Sequence, residues 1–311
     1  MPPKKKIKEQ PPATRSGFVS LAGAPNVGKT TLLNALVDRK VGIVSSKPQT
    51  TRNRITGIRT TAACQIVFVD HPGFHKPQYL LNREMMRLTR AGLKDSDFLL
   101  LVLDASEGAG PLDRELMELV RETGLPRAVI LNKIDKITPK ERLLPLLESI
   151  HRADPEAELI PISALKKDGT AQLAALLETR MPEGPFLFPA DQWTTQSETF
   201  YLSELIREKV LHACHAELPY AVAVEIEHVE EDEGKGLMKI HARILVEREG
   251  QKAILIGKHG EMAKTIGTKA REEMEGFLGI KVFLGLQVAV SPHWREDPRV
   301  VSRLLPPEDT E

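Results

Sequence analysis

Cysteine is scarce: 311 residues contain only Cys64 and Cys214, far apart and at no metal-ligand or redox spacing. Both are expected to be reduced, buried or half-buried thiols. No sign of charge dominates either. The 43 Lys and Arg balance 43 Asp and Glu, so any nucleic-acid contact must come from a local basic patch rather than a global field. The longest apolar run, FLLLVL at Phe98–Leu103, falls far short of the ~20 residues needed to span a bilayer. The opening MPPKKKIKEQPP lacks the apolar segment of a signal peptide, and Pro2 stands where myristoylation requires glycine. A cytoplasmic protein is expected. A hydrophobic fraction of 41% is ordinary for a globular chain, and the length accommodates two domains.

Short apolar runs ending in polar residues recur through the first half: GFVSLAG (17–23), CQIVFVD (64–70), FLLLVLD (98–104), RAVILNK (127–133) and ELIPIS (158–163). Helical-period segments separate them. This alternation predicts a mostly parallel sheet covered by helices on both faces, with ligands at the carboxyl ends of the strands. PEGPFLFPADQ (182–192) breaks the pattern with three prolines and a glycine. Beyond it, period-2 alternation at Val222, Val224 and Ile226, and from Val282 to Val290, predicts a half-buried antiparallel sheet backed by helices. Expected units are a basic tail (1–15), an α/β domain (16–181), a linker (182–199), a smaller α+β domain (200–293) and a C-terminal tail (294–311).

GAPNVGKT (Gly23–Thr30) matches G-x-x-x-x-G-K-[ST] between a strand and a helix, the context that makes this phosphate loop credible. Its backbone N–H groups, with Asn26, Val27, Gly28 and Thr31, would surround phosphate oxygens. Lys29 would neutralise the β- and γ-phosphates, and Thr30 would ligate magnesium. NKID (Asn132–Asp135) ends a later strand. The Asp135 carboxylate accepts from guanine N1–H and the exocyclic amine, donors that adenine lacks. The Lys133 stem is expected along the base face with its ammonium in water. Ser163, Ala164 and Leu165 are placed for a backbone N–H to reach the guanine carbonyl. The nucleotide read from these motifs is GTP or GDP.

DHPGF (Asp70–Phe74) ends another strand: Asp70 would hold magnesium and the Gly73 N–H the γ-phosphate. SSKPQTTRNR (Ser45–Arg54) suits a loop ordered by GTP, with Thr51, ahead of Thr50, as its magnesium-sensing hydroxyl. Phe74 can neither donate nor accept where many GTPases place a water-orienting Gln, so slow intrinsic hydrolysis is expected.

Together with AELPYAVAVEIE and ILVEREGQKAILIGKHGEMAKTIGTKAR, these motifs resemble the Era family, bacterial GTPases with a C-terminal KH domain. The resemblance spans about Ser16 to Trp294. It implies a P-loop GTPase domain followed by a type II KH domain, and a role in small-subunit (30S) ribosome assembly through the single-stranded 3′ end of 16S rRNA. In related GTPases the residue at Asn26 helps bind a potassium ion that replaces an arginine finger, so K+ is a candidate beside Mg2+. One departure is His71, where the family usually has Thr; a permissive position is favoured over a catalytic one.

Gly257-Lys258-His259-Gly260 is a G-x-x-G loop between predicted helices, a pattern that clamps about four nucleotides in KH domains. Between Lys252 and Arg271 five basic residues, including Lys264 and Lys269, face one acidic residue, Glu261. Ile254, Ile256 and Ile266 are expected to line an apolar groove for bases. His293 and Trp294 are expected to close the domain. KKKIK (Lys4–Lys8) is read as a solvated tail, with phosphate or anionic-membrane contacts as the alternative. A monomer without DNA partners is expected. Two competing readings remain: a constitutive RNA-binding assembly factor with a structural nucleotide site, and a signalling GTPase that uses the KH fold for protein docking.

Overall fold

The computed structural model describes residues 14–214, 218–232, 234 and 236–305. Its first half runs β1 (Arg15–Ala22), α1 (Lys29–Val37), β2 (Ile55–Thr60), β3 (Cys64–Asp70), α2 (Leu80–Gly92), β4 (Phe98–Asp104), α3 (Pro111–Glu122), β5 (Arg127–Asn132), α4 (Leu144–Ala153), β6 (Glu158–Pro161) and α5 (Thr170–Arg180). The sheet order is β2-β3-β1-β4-β5-β6. All neighbours pair in parallel except the edge strand β2, which is antiparallel to β3. Strands β3, β4 and β5 are buried along their whole length because helices cover both faces. Leu32, Leu33 and Leu36 of α1 pack with Leu173 and Leu177 of α5 on one side. Met85 of α2, Leu116 of α3 and Ile150 of α4 lie on the other. Cys64 and Cys214 are buried thiols.

The second half runs α6 (Glu198–Ala213), β7 (Ala223–Asp232), β8 (Leu237–Val246), α7 (Glu249–Ile256), α8 (Glu261–Leu278), β9 (Lys281–Val290) and α9 (Pro298–Leu304). Ser197 caps α6 by accepting from Phe200 N at 3.2 Å. Ile240 and Ile244 of β8, Leu205 of α6 and Met274 of α8 share one core. The sheet is mixed, which corrects the antiparallel expectation: β7 and β8 are antiparallel, but β8 and β9 are parallel. Period-2 alternation reports one buried face, not direction. The α7–α8 pair carries the chain across that face and returns it parallel, as a helical crossover does.

Two segments expected as connections are structured. Residues 187–194 are hydrogen-bonded to the first domain. Leu187 N and Phe188 N both donate to buried Gln65 Oε1, at 2.8 and 2.9 Å, and Ile58 N donates to Trp193 O. Residues 294–305, expected as a tail, turn back and pack. Trp294 is fully buried and donates from Nε1 to Ala221 O at 3.0 Å. Val300 and Val301 join the apolar cluster that contains Leu81 and Met85 of α2. Residues 1–13, with the KKKIK tail, and 306–311 lie outside the described residues. Among the described residues no helix is long and apolar enough to cross a membrane.

Candidate nucleotide site and nucleic-acid interface

The phosphate loop leaves β1 and enters α1 through Gly28, which caps the helix at φ 97°. A Cβ there would sit 2.3 Å from Asn132 Nδ2, so only glycine fits. Lys29 is buried, and its Nζ donates to Gly23 O and Ala24 O at 3.1 and 3.0 Å. Burial lowers its pKa, with Asp70 opposing the shift. Residues 25, 26, 28–31, 49–51, 73, 132, 133, 135 and 165 line a cavity of about 470 Å3. The phosphate loop, the 45–54 loop, Gly73, the NKID motif and Leu165 therefore converge on one space at the carboxyl edge of the sheet.

Beside Lys29, three hydroxyl and carboxylate groups meet. Thr30 Oγ1 donates to Asp70 Oδ2 at 2.5 Å and lies 2.8 Å from Thr51 Oγ1. Asp70 is fully buried, and its Oδ1 has no hydrogen-bond partner. Burial pushes its pKa up to about 6, against the pull of Lys29 and the threonines. The adjacent Thr50 turns away: its hydroxyl donates to Lys47 O at 2.6 Å. Asn26, in a left-handed conformation, donates from Nδ2 to Ser46 O at 3.0 Å and so ties the phosphate loop to the 45–54 loop.

The base-side motif is held from three directions. Asn132 donates from Nδ2 to Val27 O at 2.8 Å and accepts at Oδ1 from Lys133 N and Ala164 N. The Ala164 N–H is thus spent on Asn132. Asp135 is exposed and accepts from Ser163 Oγ at 2.5 Å. Leu165 is 72% exposed at the rim. Lys133 corrects the expectation of a solvated ammonium: its Nζ donates to Asn26 O and to Asp104 Oδ2, both at 2.6 Å. Asp104 escaped the sequence reading, although its place at the end of an apolar strand was the available signal.

His71 and Phe74 face away from the cavity. His71 is buried, its Nε2 shares a hydrogen bond with Ser20 Oγ at 3.0 Å, and burial lowers its pKa to about 3. Phe74 is buried in the apolar cluster under α2.

In the second half, the Gly257–Gly260 loop joins α7 to α8 with Gly257, His259 and Gly260 all at positive φ. A Cβ on Gly257 would lie 2.7 Å from that of Met262, so glycine is required for the tight approach. Lys258, His259, Lys264 and Lys269 are exposed. Ile254 and Ile256 are exposed at 57% and 37%, whereas Ile266 is 1% exposed and belongs to the core. The expected three-isoleucine groove is therefore two isoleucines on α7. Helical periodicity assigns a residue to a face but not to which partner covers that face.

The two halves meet at the 45–54 loop. Arg207 of α6, paired with Glu204 at 2.6 Å, donates to Thr50 O. Glu208 accepts from Val44 N at 3.1 Å and pairs with Lys40 at 2.7 Å. Arg52 is buried and donates to the carbonyls of Pro219, Tyr220 and Val222. A second contact follows DHPGF. Arg295 lies 3.9 Å from the Tyr79 ring centroid, and Glu296 accepts from Leu80 N and Arg83.

Residues 18–133 match the family model for a 50S ribosome-binding GTPase, and residues 217–295 match that for a KH domain. The GTPase Era of Syntrophus aciditrophicus is 48% identical over 287 residues, covering 92% of this chain and 94% of that protein. That of Heliobacterium modesticaldum is 43% identical over 92% of this chain and 95% of its own length. Two crystal structures superpose with a TM-score of 0.91 at 38% identity, over 94% of this chain and 99% of theirs. One is Aquifex aeolicus Era Y63A bound to GDP·AlF4−, the other Era with MgGDPNP and nucleotides 1506–1542 of 16S ribosomal RNA. A phosphate loop and guanine motif on one sheet edge, a G-x-x-G helix pair beyond it, and this likeness over nearly the whole length make the chain a member of the Era family of GTPases, a P-loop GTPase domain joined to a C-terminal KH domain.

Proposed function

We propose that this GTPase binds the single-stranded 3′ end of small-subunit (16S) rRNA through its KH domain and assists 30S assembly, with the bound nucleotide setting when it engages. The observation that carries the reading is the segment Thr50–Arg52. Thr51 meets Thr30 on the nucleotide side, while Thr50 O and the Arg52 guanidinium are held by the KH half. Rearrangement of this loop on loss of the γ-phosphate would disturb both. Support for the RNA comes from the exposed Lys258-His259 loop beside Ile254 and Ile256, and from the relative crystallised with 16S rRNA nucleotides.

At the nucleotide, Lys29 is assigned to the β- and γ-phosphates and the Gly73 N–H to the γ-phosphate. Asp135 reads the guanine edge, with Ser163 orienting its carboxylate. Thr30, Thr51 and Asp70 would hold magnesium: they are hard oxygen donors, and the unpartnered, buried Asp70 Oδ1 fits a cation. Bound there, magnesium would offset phosphate charge. Asn26 spends its amide nitrogen on Ser46 O, which leaves its oxygen as the end for potassium. Phe74 orients no water, so intrinsic turnover is slow. The protein acts as a cytoplasmic monomer without DNA partners.

The test is affinity for a 3′-end 16S rRNA oligonucleotide with a GTP analogue, with GDP and without nucleotide, repeated with Lys258→Asp/His259→Asp. Tighter binding with the analogue, lost in the double variant, is expected. Nucleotide-independent binding would separate the GTPase from RNA engagement, and no binding in any state would overturn the RNA assignment.

A further inference from the structure

We propose that Asp104 is a positioning residue of the guanine site, holding the Lys133 ammonium against the phosphate loop and thereby setting how long the nucleotide stays bound. The proposal rests on the reading of Asn132–Asp135 as the guanine motif. It begins with strand register. The parallel pairing of β4 with β5 sets Asp104 opposite Asn132, and Ala105 N donates to Asn132 O at 2.9 Å. The last residue of one strand is thus fastened to the first residue of the base-reading motif on the next.

The carboxylate is oriented before it meets the lysine. Its Oδ1 accepts from Ser106 N at 3.0 Å and from Ser106 Oγ at 2.6 Å. This leaves Oδ2 for Lys133 Nζ at 2.6 Å. The same ammonium donates to Asn26 O at 2.6 Å, so the chain of contacts runs from β4 through Lys133 to the phosphate loop. It continues through Asn26 Nδ2 to Ser46 O of the 45–54 loop. Asp104 is 5% exposed and does not line the nucleotide cavity, so its influence passes through Lys133. A lysine stem is flexible and its ammonium is a point charge with three rotatable donors. One carbonyl alone does not fix its direction, whereas a carbonyl and an oriented carboxylate do. With the ammonium fixed at both ends, the stem stays extended between the base site and the phosphate loop.

The experiment is the dissociation rate of fluorescently labelled GDP from the full-length protein in wild type, Asp104→Asn, Lys133→Met and the double variant. Asparagine keeps an oxygen for Ser106 and removes the charge opposite Lys133. Asp104→Asn is expected to release GDP about tenfold faster, the worth of one charge-assisted hydrogen bond. The double variant is expected to release it no faster than Lys133→Met alone. This non-additivity is the readout that a merely structural role would not move. Wild-type release from Asp104→Asn, or effects that add in full, would overturn the proposal. Should Asp104→Asn not fold, Ser106→Ala carries the same cycle: faster release that disappears in the Lys133→Met background supports it, and unchanged release counts against it. If Lys133→Met itself releases GDP at the wild-type rate, the guanine-motif reading fails, an outcome separate from the failure of Asp104.

Discussion

Thr50 and Thr51 are neighbours with opposite assignments, and their hydrogen bonds separate them. Thr51 Oγ1 lies 2.8 Å from Thr30 Oγ1, whereas Thr50 Oγ1 donates to the local Lys47 carbonyl. Thr51→Ala is expected to weaken magnesium-dependent binding of a GTP analogue about tenfold while GDP affinity changes little. Thr50→Ala should not reproduce this. Nucleotide titration with and without magnesium checks both. Asn26 carries a second residue-scale prediction: GTP hydrolysis is expected to be faster in potassium than in sodium, and Asn26→Ala to lose the difference. Equal rates in both salts in the wild type would remove potassium from the account. The local motifs themselves were legible before folding; the partners of long side chains were not. Lys133 was expected in water and meets Asp104, and Ile266 was expected in a groove and lies in the core. Both outcomes depend on residues far away in sequence.

Elements were legible where pattern and length agreed. The buried strands β3, β4 and β5 read as apolar runs because helices cover both faces. Strand β2, six residues with Gly57 in its interior, offered no such run and was not among the expected strands. At this scale the ion pair between Arg127, at the start of β5, and Asp154, after α4, makes a stability prediction. Arg127 donates from Nε and Nη2 to the two Asp154 oxygens at 2.7 and 2.6 Å, and both side chains are buried. The Arg127 hydrogen bond, opposed by burial, holds the Asp154 carboxyl below the usual carboxylate range. Its contribution is therefore complete above about pH 4, the unfolded value, and is lost as pH falls through the lower folded value. Asp154→Asn should cost about 3 kcal/mol at neutral pH. Denaturant unfolding of both proteins from pH 7 to pH 3 should show the gap narrowing only at the acid end. A constant gap would mean that the pair does not titrate on folding.

Across the whole molecule, both segments proposed to sense the nucleotide touch the KH side. The 45–54 loop is gripped by Arg207 and, through Arg52, by the carbonyls ahead of β7. The segment after DHPGF meets Arg295 and Glu296. Arg207→Met removes one grip and leaves Glu204 to offset the charge of the buried Arg52 guanidinium. It is expected to shrink the ratio of RNA affinities with GTP analogue and GDP toward one. A ratio equal to that of the wild type would show that the Arg207 contact does not transmit the nucleotide state.

The sequence by itself determined the phosphate loop, the guanine motif, the G-x-x-G turn and the two domain classes. Each is a matter of residue type at short, covalently set spacing, where glycine conformation and local periodicity suffice. Only the tertiary structure decided how these parts address one another. Arg52 reaches carbonyls about 170 residues away, Trp294 closes on Ala221, and Asp104 faces Lys133. Such meetings depend on sheet order, strand register and the seating of one domain on another, which no short stretch of chain encodes.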